Sequence, residues 1–257
     1  MTTGLGTLRS WRRRAWTLAY RPPDPDLAST PVSPRSPGGR VGVVALHLAP
    51  GVLAYVVLRV AREPLGEALD VGDAEAQAVA LTGVMVLMGA GALLLPSLAH
   101  GLGIRRALRT VGVTRLDRAS LVAAVAVWLA VAAVSAVAGY EDDLRRLIEG
   151  VSWLSLPEWH LQRRGLEALP PLLGAVALGT NLLGEELWFR GYLQDRLRFL
   201  GPLWWLAAGV LFTLYHVFQA PVTYPAFVAP VSIAALYALR HDLWSCVLLH
   251  ALLQVTP

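Results

Sequence analysis

The sequence predicts an all-α fold, a polytopic membrane helix bundle with about seven transmembrane helices. Of its 257 residues, 55% are hydrophobic and 16% are charged, whereas a soluble domain carries about 25% charge. Long apolar runs alternate with short polar breaks along most of the chain. This balance argues against a disordered chain and a nucleic-acid-binding domain, so no nucleic-acid partner is expected. The single cysteine, Cys246, excludes an intrachain disulfide and hence a disulfide-stabilised secreted scaffold.

The first 40 residues differ in composition from the rest. Residues 1–40 contain seven of the 22 arginines and six of the 17 prolines, and the stretch 21–40 has almost nothing to bury. Such a composition is typical of disordered segments. We therefore predict a disordered Arg/Pro-rich cytoplasmic tail at 1–40 and a transmembrane helical bundle at 41–257, with no second soluble domain.

Seven segments after the tail are candidates for membrane-spanning helices. A spanning helix needs about 20 mostly apolar residues. The first four segments meet this requirement comfortably, whereas the last two are short and close together. The candidates lie at 41–60, 77–99, 119–139, 169–190, 203–219, 225–239 and 242–256.

The placement of arginine predicts how the bundle is oriented. All 22 basic residues are Arg, and the dense clusters, such as the five Arg within 105–118, fall on alternate polar breaks. The positive-inside rule then places the N-terminus in the cytoplasm of a multi-pass cell-membrane protein whose partner is the lipid bilayer. The segment 141–167, with Trp153 and Trp159, is interpreted as an interfacial helix or loop on the outer face.

Ionisable side chains interrupt the apolar pattern of the fourth segment. Glu185, Glu186 and Arg190 lie inside or at the edge of this helix, where each costs about 2.5–3.5 kcal/mol on insertion scales and usually marks a functional site. The i, i+4 spacing lets Glu186 pair with Arg190. On a helix the side chain of Glu185 points about 100° away from that of Glu186, so it remains free to take part in a reaction. The alternative is a structural Glu–Arg brace with a second Glu at the helix interface.

Two histidines in apolar helices are predicted to meet Glu185. The fourth and fifth segments form a hairpin that turns near 200–201, and Glu185 and His216 are 15–16 residues from that turn on either side. At 1.5 Å per residue both lie about 20 Å from it. His250 lies at a comparable depth, and Gln254 shares its helix face at i+4. A lone histidine on an apolar face is more often a satisfied core residue, but two with a glutamate are typical of a site.

A glutamate, two histidines and an amide form a plausible hydrolytic set. The carboxylate takes a proton from water, one imidazole orients that water, and the remaining groups donate hydrogen bonds to an oxyanion. Other proteolytic signatures are missing, including the HExxH zinc motif. Asn181 precedes Glu185 by four residues, and two interpretations stay open for it: a hydrogen bond to the site, or one to a neighbouring helix.

Several motifs in the same region resemble those of a known family. EELWFRG, beginning at Glu185, resembles the EExxxR motif of the CPBP family, the intramembrane proteases related to the CAAX prenyl endopeptidase and to bacteriocin-processing and Abi proteins. Phe212 with His216 is similar to its FxxxH motif, and His250 falls where its last motif, HxxxN or HxxxD, begins. The resemblance covers a CPBP-like catalytic core at about 169–257.

The resemblance implies an all-helical, CAAX-protease-like membrane endopeptidase with assigned residue roles. Glu185 and His216 would activate water, and His250 would assist the oxyanion. Glu186 and Arg190 would shape the site. The motif residue Phe212 is also a candidate site-shaping residue, and so is Asn181 from its position four residues before Glu185. The sequence departs from the family at Gln254, which stands where Asn or Asp is expected and whose amide is one methylene longer than that of Asn.

Two functions are compatible with these residues and motifs. The first is an intramembrane endopeptidase that hydrolyses a peptide bond with Glu/His-activated water. The alternative is a non-catalytic membrane scaffold or bacteriocin self-immunity protein of the same fold, for which the departure at Gln254 is the main support. The substrate is a peptide or protein, membrane-associated or prenylated. No cofactor is expected; zinc is the alternative, and its ligands would be Glu185, His216 and His250.

Overall fold

The computed structural model describes residues 36–100, 103–113, 116–154 and 169–254. Within these ranges the chain is almost entirely helical and contains no β-strand, which confirms the predicted all-α class. The predicted tail at 1–40 lies outside the described residues except for its last five, so its disorder remains a prediction.

The first helices form an antiparallel pair joined by a short linking helix. Helix α1 (Pro37–Val60) begins four residues before the predicted start of the first span, because Ser36 caps it by accepting a hydrogen bond from the backbone N–H of Gly39 at 3.1 Å. The short α2 (Arg62–Leu69) ends at Asp70 in the left-handed conformation (φ 52°). Helix α3 (Asp73–His100) then returns along α1.

The middle of the chain supplies one long helix and two short ones among the described residues. Helix α4 (Ile104–Thr110) carries arginines of the predicted inner loop, and α5 (Arg118–Ala138) is a long apolar helix. Helix α6 (Glu141–Glu149) follows at the start of the predicted interfacial segment. Trp153 is 59% exposed and its carbonyl accepts a hydrogen bond from the Tyr55 hydroxyl at 3.1 Å. Trp159, the other tryptophan named in the predicted interfacial segment, lies outside the described residues.

The described C-terminal part, 169–254, contains the remaining helices. Helix α7 (Pro171–Glu185) continues without a break into a π-helical turn (Glu186–Leu193) and a 3-10 stretch (Gln194–Leu203). The hairpin turn predicted near 200–201 lies at Gly201, whose φ of 74° and ψ of −150° interrupt this stretch. The later helices are α8 (Trp204–Tyr215), α9 (Ala220–Thr223), α10 (Val228–Arg240) and α11 (Leu243–Gln254), with a 3-10 turn (His216–Gln219) after α8.

The lengths of the apolar helices agree with a polytopic bundle. Four helical segments of the described residues are long and apolar enough to cross a membrane, and the last of them divides at the Gly201 turn. Helices α10 and α11 are apolar but shorter. Each predicted span overlaps helical structure among the described residues. Large hydrophobic side chains such as Leu87, Leu98 and Val137 are more than half exposed, as a lipid-facing surface requires. The long segments are Pro37–Val60, Asp73–Leu98, Arg118–Val137 and Pro171–Thr223.

A partly buried polar cluster joins the turn between α10 and α11 to the start of α5. The carboxylate of Asp117 caps α5 by accepting from the Ser120 N–H at 2.7 Å, and the Ser120 hydroxyl donates to Asp242. The guanidinium of Arg240, only 2% exposed, lies 3.4 Å from both Asp117 and the Ser120 hydroxyl. These contacts set the position at which α11 begins, and α11 carries His250.

Candidate functional site

The three ionisable residues of the EExxxR pattern lie where α7 changes from α-helix to π-helix. Glu185 is the last α-helical residue and Glu186 the first of the π-helical turn, which is the kind of local widening that recurs at functional sites. Both glutamates are fully buried and Arg190 is 1% exposed. Burying three ionisable groups together is costly unless they are paired and hydrogen-bonded, so their contacts define the site.

The carboxylate of Glu185 is held between two imidazoles. Its Oε1 atom lies 3.8 Å from Nε2 of His216, and its Oε2 atom lies 3.9 Å from Nε2 of His250. These distances exceed a direct hydrogen bond but suit a single bridging group such as water. Glu185 and His216, predicted to share one depth from their distances to the hairpin turn, therefore lie together in the structure.

The two oxygens of Glu185 differ in their surroundings. Oε1 accepts hydrogen bonds from the amide of Asn181 at 2.9 Å and from the Tyr215 hydroxyl at 3.2 Å. Oε2 is buried and has no hydrogen-bond partner among the residues that the structure describes. Of the two interpretations open for Asn181, the structure shows the bond to the site; the same amide also lies 3.9 Å from the sulfur of Met85 on α3.

The orientation of His216 follows from the helix that carries it. Its Nδ1 lies 2.7 Å from the carbonyl oxygen of Phe212, one turn earlier. Because a carbonyl oxygen can only accept, Nδ1 carries a proton and Nε2 is turned towards Glu185. The Phe212 ring packs edge-on against this imidazole at 4.8 Å between centroids. The FxxxH spacing thus supplies both the hydrogen bond and the ring contact that fix His216.

Glu186 contacts both of its neighbours in the site. Its Oε2 lies 3.4 Å from Nε of Arg190, so the pair predicted from i, i+4 spacing is present. Its Oε1 lies 2.9 Å from Nδ1 of His250, a contact that the sequence pattern did not predict. Since Glu185 faces the other ring nitrogen of His250, the two adjacent glutamates contact opposite sides of one imidazole. Adjacent residues on a helix can therefore contact one side chain that comes from another helix.

Three kinds of contact compensate the buried positive charge of Arg190. Besides Glu186, its guanidinium carbon lies 3.9 Å from the centroid of the Phe212 ring, and its NH2 donates to the Pro230 carbonyl at 3.4 Å. A cation over an aromatic face gains electrostatic stabilisation that increases when water is excluded. Phe212 therefore contacts Arg190 through its ring and His216 through its carbonyl, and it connects two of the three sequence motifs.

Gln254 contacts one member of the site. Its Nε2 lies 3.3 Å from Nε2 of His250, one helical turn earlier, and its side chain is exposed. The Gln254 amide therefore contacts His250, as its position four residues later predicted. Cys246, one turn before His250, is buried with its sulfur 3.8 Å from the Ile233 carbonyl, and it belongs to the hydrophobic core.

Comparison with known proteins bears on the segment that forms this site. Residues 167–256 match the Rce1-like family. The family model is described as Type II CAAX prenyl endopeptidase Rce1-like, and the match confirms the resemblance to the CPBP family. The Rce1-like segment contains every site residue that the sequence predicted, and it supports a CAAX-protease-type fold there. No curated protein and no solved structure matches the chain.

Some residues around this site could not be found from the sequence. Tyr215 precedes His216 and offered no distinguishing pattern, yet its hydroxyl bonds to Glu185. Met85 and Met88 of α3 lie 3.7 and 3.8 Å from that hydroxyl, although they are outside the matched segment and look like ordinary core residues in the sequence. His47 of α1 is a buried core residue, with Nδ1 2.8 Å from the Val43 carbonyl.

Zinc is the alternative to a metal-free site. Glu185, His216 and His250 offer the ligand types that zinc accepts. However, within the described parts of the chain no three His, Cys, Asp or Glu side chains are grouped closely enough to hold a metal ion. The expectation that no metal is needed therefore stays a prediction, and no chemical step is assigned to a metal.

Proposed function

We propose that the protein is an intramembrane endopeptidase in which Glu185 and two histidines activate water for hydrolysis of a peptide bond. The observation that carries this proposal is the fully buried Glu185 carboxylate, which lies 3.8 Å from His216 and 3.9 Å from His250 on either side. A purely structural brace requires Glu186 and Arg190, and it does not require a second carboxylate between two imidazoles. The match of this segment to an endopeptidase family supports the same conclusion.

The proposed mechanism begins at Oε2 of Glu185, the oxygen without a hydrogen-bond partner in the described part of the chain. Oε2 accepts a proton from a water molecule, while Nε2 of His216, which has its ring proton on Nδ1, accepts a second hydrogen bond and orients that water. The water oxygen forms a bond to the substrate carbonyl carbon. When the tetrahedral intermediate collapses, the C–N bond breaks and the proton on Glu185 passes to the leaving amine.

The oxyanion of that intermediate requires hydrogen-bond donors. The His250 ring is oriented by Glu186, which accepts from its Nδ1, in the way that the carboxylate of a catalytic triad orients its histidine. Its Nε2–H then donates to the oxyanion, and the Gln254 amide beside it is the second donor. Glu186 therefore acts in the mechanism through His250.

The substrate class is proposed from the family description. Because the matched model describes a prenyl endopeptidase of the CAAX type, a prenylated peptide is the first substrate to test. A lipid-modified segment brings its scissile bond to the membrane, which suits a site surrounded by apolar helices. We place the protein in the cell membrane with its N-terminus in the cytoplasm, following the arginine distribution.

The test uses the purified protein in lipid vesicles and an internally quenched fluorogenic peptide with a farnesylated cysteine near its C-terminus. Glu185→Gln and His216→Ala should each lower kcat/KM by about 100-fold or more, since general acid–base groups contribute about 10²–10⁴-fold. Glu63→Gln is the matched control, because Glu63 is exposed in α2. Unchanged cleavage by Glu185→Gln, with intact folding, would refute the proposal.

A non-catalytic scaffold or bacteriocin self-immunity protein is the second candidate. One observation favours it: the amide of Gln254 already lies 3.3 Å from Nε2 of His250, the atom that the proposed mechanism assigns to the oxyanion. If this function is correct, cells expressing the Glu185→Gln variant remain as protected against a bacteriocin as cells expressing the wild-type protein. An endopeptidase that confers protection by cleavage loses it in the same variant.

A further inference from the structure

We propose that Tyr215 is a positioning residue that holds Oε1 of Glu185, so that Oε2 is the oxygen which accepts the proton from water. This role rests on the proposed function and adds to it a residue at an unspecified position of the FxxxH motif. It explains why, among the described residues, one carboxylate oxygen has two donors and the other has none.

The hydroxyl of Tyr215 has one strong acceptor within reach in the described part of the chain. It lies 3.2 Å from Oε1 of Glu185, and its other neighbours are the sulfur atoms of Met85 and Met88 at 3.7 and 3.8 Å. Thioether sulfur is a weak acceptor, whereas a carboxylate is a strong one. The hydroxyl proton is therefore directed at Glu185.

The ring of Tyr215 is held in place by aromatic neighbours. It packs against Phe189 at 4.6 Å, Phe212 at 5.8 Å and Phe218 at 5.4 Å between centroids, and the residue is fully buried. Such a ring has little rotational freedom left to lose when the hydroxyl engages its acceptor. The direction of the donor is thus set before any substrate arrives, which is the condition for a preorganised site.

Tyr215 also connects Glu185 to the element that carries the first histidine. Asn181 lies on the same helix as Glu185, so its hydrogen bond fixes the carboxylate only relative to α7. Tyr215 lies at the end of α8, directly before His216, so its hydrogen bond fixes the carboxylate relative to the imidazole. Among the described contacts, no other residue of α8 bonds to Glu185. Loss of the Tyr215 hydrogen bond therefore leaves the 3.8 Å distance between Glu185 and His216 without a restraint from α8.

The kinetic test removes the hydroxyl and keeps the ring. Tyr215→Phe should lower kcat for the farnesylated fluorogenic peptide about tenfold and change KM less than about twofold, because a donor to a charged group is lost while the surface that contacts substrate is not. In a Glu185→Gln background the same substitution should have no further effect on kcat. Tyr55→Phe is the control, because it removes a tyrosine hydrogen bond to the Trp153 carbonyl outside the site.

An infrared measurement tests the hydrogen bond without substrate. The carboxyl band of Glu185, identified by subtracting the spectrum of Glu185→Gln from that of the wild type, should shift in Tyr215→Phe and stay in place in Tyr55→Phe. An unshifted band, or equal kcat in wild type and Tyr215→Phe, would overturn the inference. Lack of cleavage by the wild-type protein overturns the proposed function instead, and the infrared band still decides whether Tyr215 holds Glu185.

Discussion

Gly51 on α1 offers a test of how closely the first helix supports the site from outside the Rce1-like segment. A side chain there would collide with the backbone of Tyr215: an ideal Cβ would stand 2.8 Å from its carbonyl carbon and closer still to its oxygen. Gly51 therefore lets α1 touch the end of α8, at the residues that face Glu185.

The expected effect of Gly51→Ala follows from this overlap. To reach the 3.4 Å at which ordinary van der Waals contact begins, α1 and the end of α8 must separate by about 1–2 Å. Overpacking of this kind costs about 1–3 kcal/mol. A loss of about 2 kcal/mol lowers the Tm of a chain of this size by about 4–8 °C. A displacement of about 1 Å at Tyr215 should also lower kcat up to about 100-fold.

The assay compares two alanine substitutions on one helix. Gly42 lies on α1 with nothing within 4 Å of its ideal Cβ, so Gly42→Ala should be neutral or gain up to about 1 kcal/mol from helix propensity. Thermal unfolding in detergent and cleavage of the farnesylated peptide are measured for both variants. Equal Tm and kcat for Gly51→Ala and Gly42→Ala would refute the close approach of α1 to the site.

Three further predictions concern charge, metal and the polar cluster. Glu186→Gln leaves the buried guanidinium of Arg190 without its carboxylate and should lower the free energy of unfolding by about 3–5 kcal/mol, measured by thermal unfolding. Arg146→Gln removes an exposed ion pair and should leave the Tm unchanged. Equal effects of the two substitutions would contradict the buried pairing. A chelator should leave cleavage unaffected, and elemental analysis of the purified protein should find well below one zinc ion per chain. A loss of activity in the chelator that added zinc restores would establish the zinc alternative. Ser120→Ala removes the donor to Asp242 and should lower stability by about 1–3 kcal/mol; an unchanged Tm would show that this contact does not anchor α11.

Local spacing was sufficient to predict much of the site. Within one helix, residues four apart share a face, so the contacts of Glu186 with Arg190 and of Gln254 with His250 were predicted from position alone. For Asn181 the same spacing gave the bond to Glu185 as one of two alternatives. The equal chain lengths on either side of the Gly201 turn predicted that α7 and α8 bring their polar residues to one depth. All of these contacts depend on the fixed rise and rotation of a helix, which the amino-acid sequence determines locally.

Other features depend on how separate helices are rotated against each other. The bond of Tyr215 to Glu185 and the contact of Glu186 with His250 join residues on different helices, 30 and 64 positions apart in the chain. The directions of these side chains follow from packing and from the π-helical turn. The close approach at Gly51 likewise appears only when α1 meets α8.

By itself, the sequence determined that this protein is an all-helical bundle and which side chains carry its proposed chemistry, because hydropathy and helical periodicity are local properties of the chain. Only the tertiary structure decided which oxygen of Glu185 is restrained, and that both glutamates share one imidazole. Those outcomes depend on the rotation and separation of neighbouring helices, which are set by packing across the whole bundle.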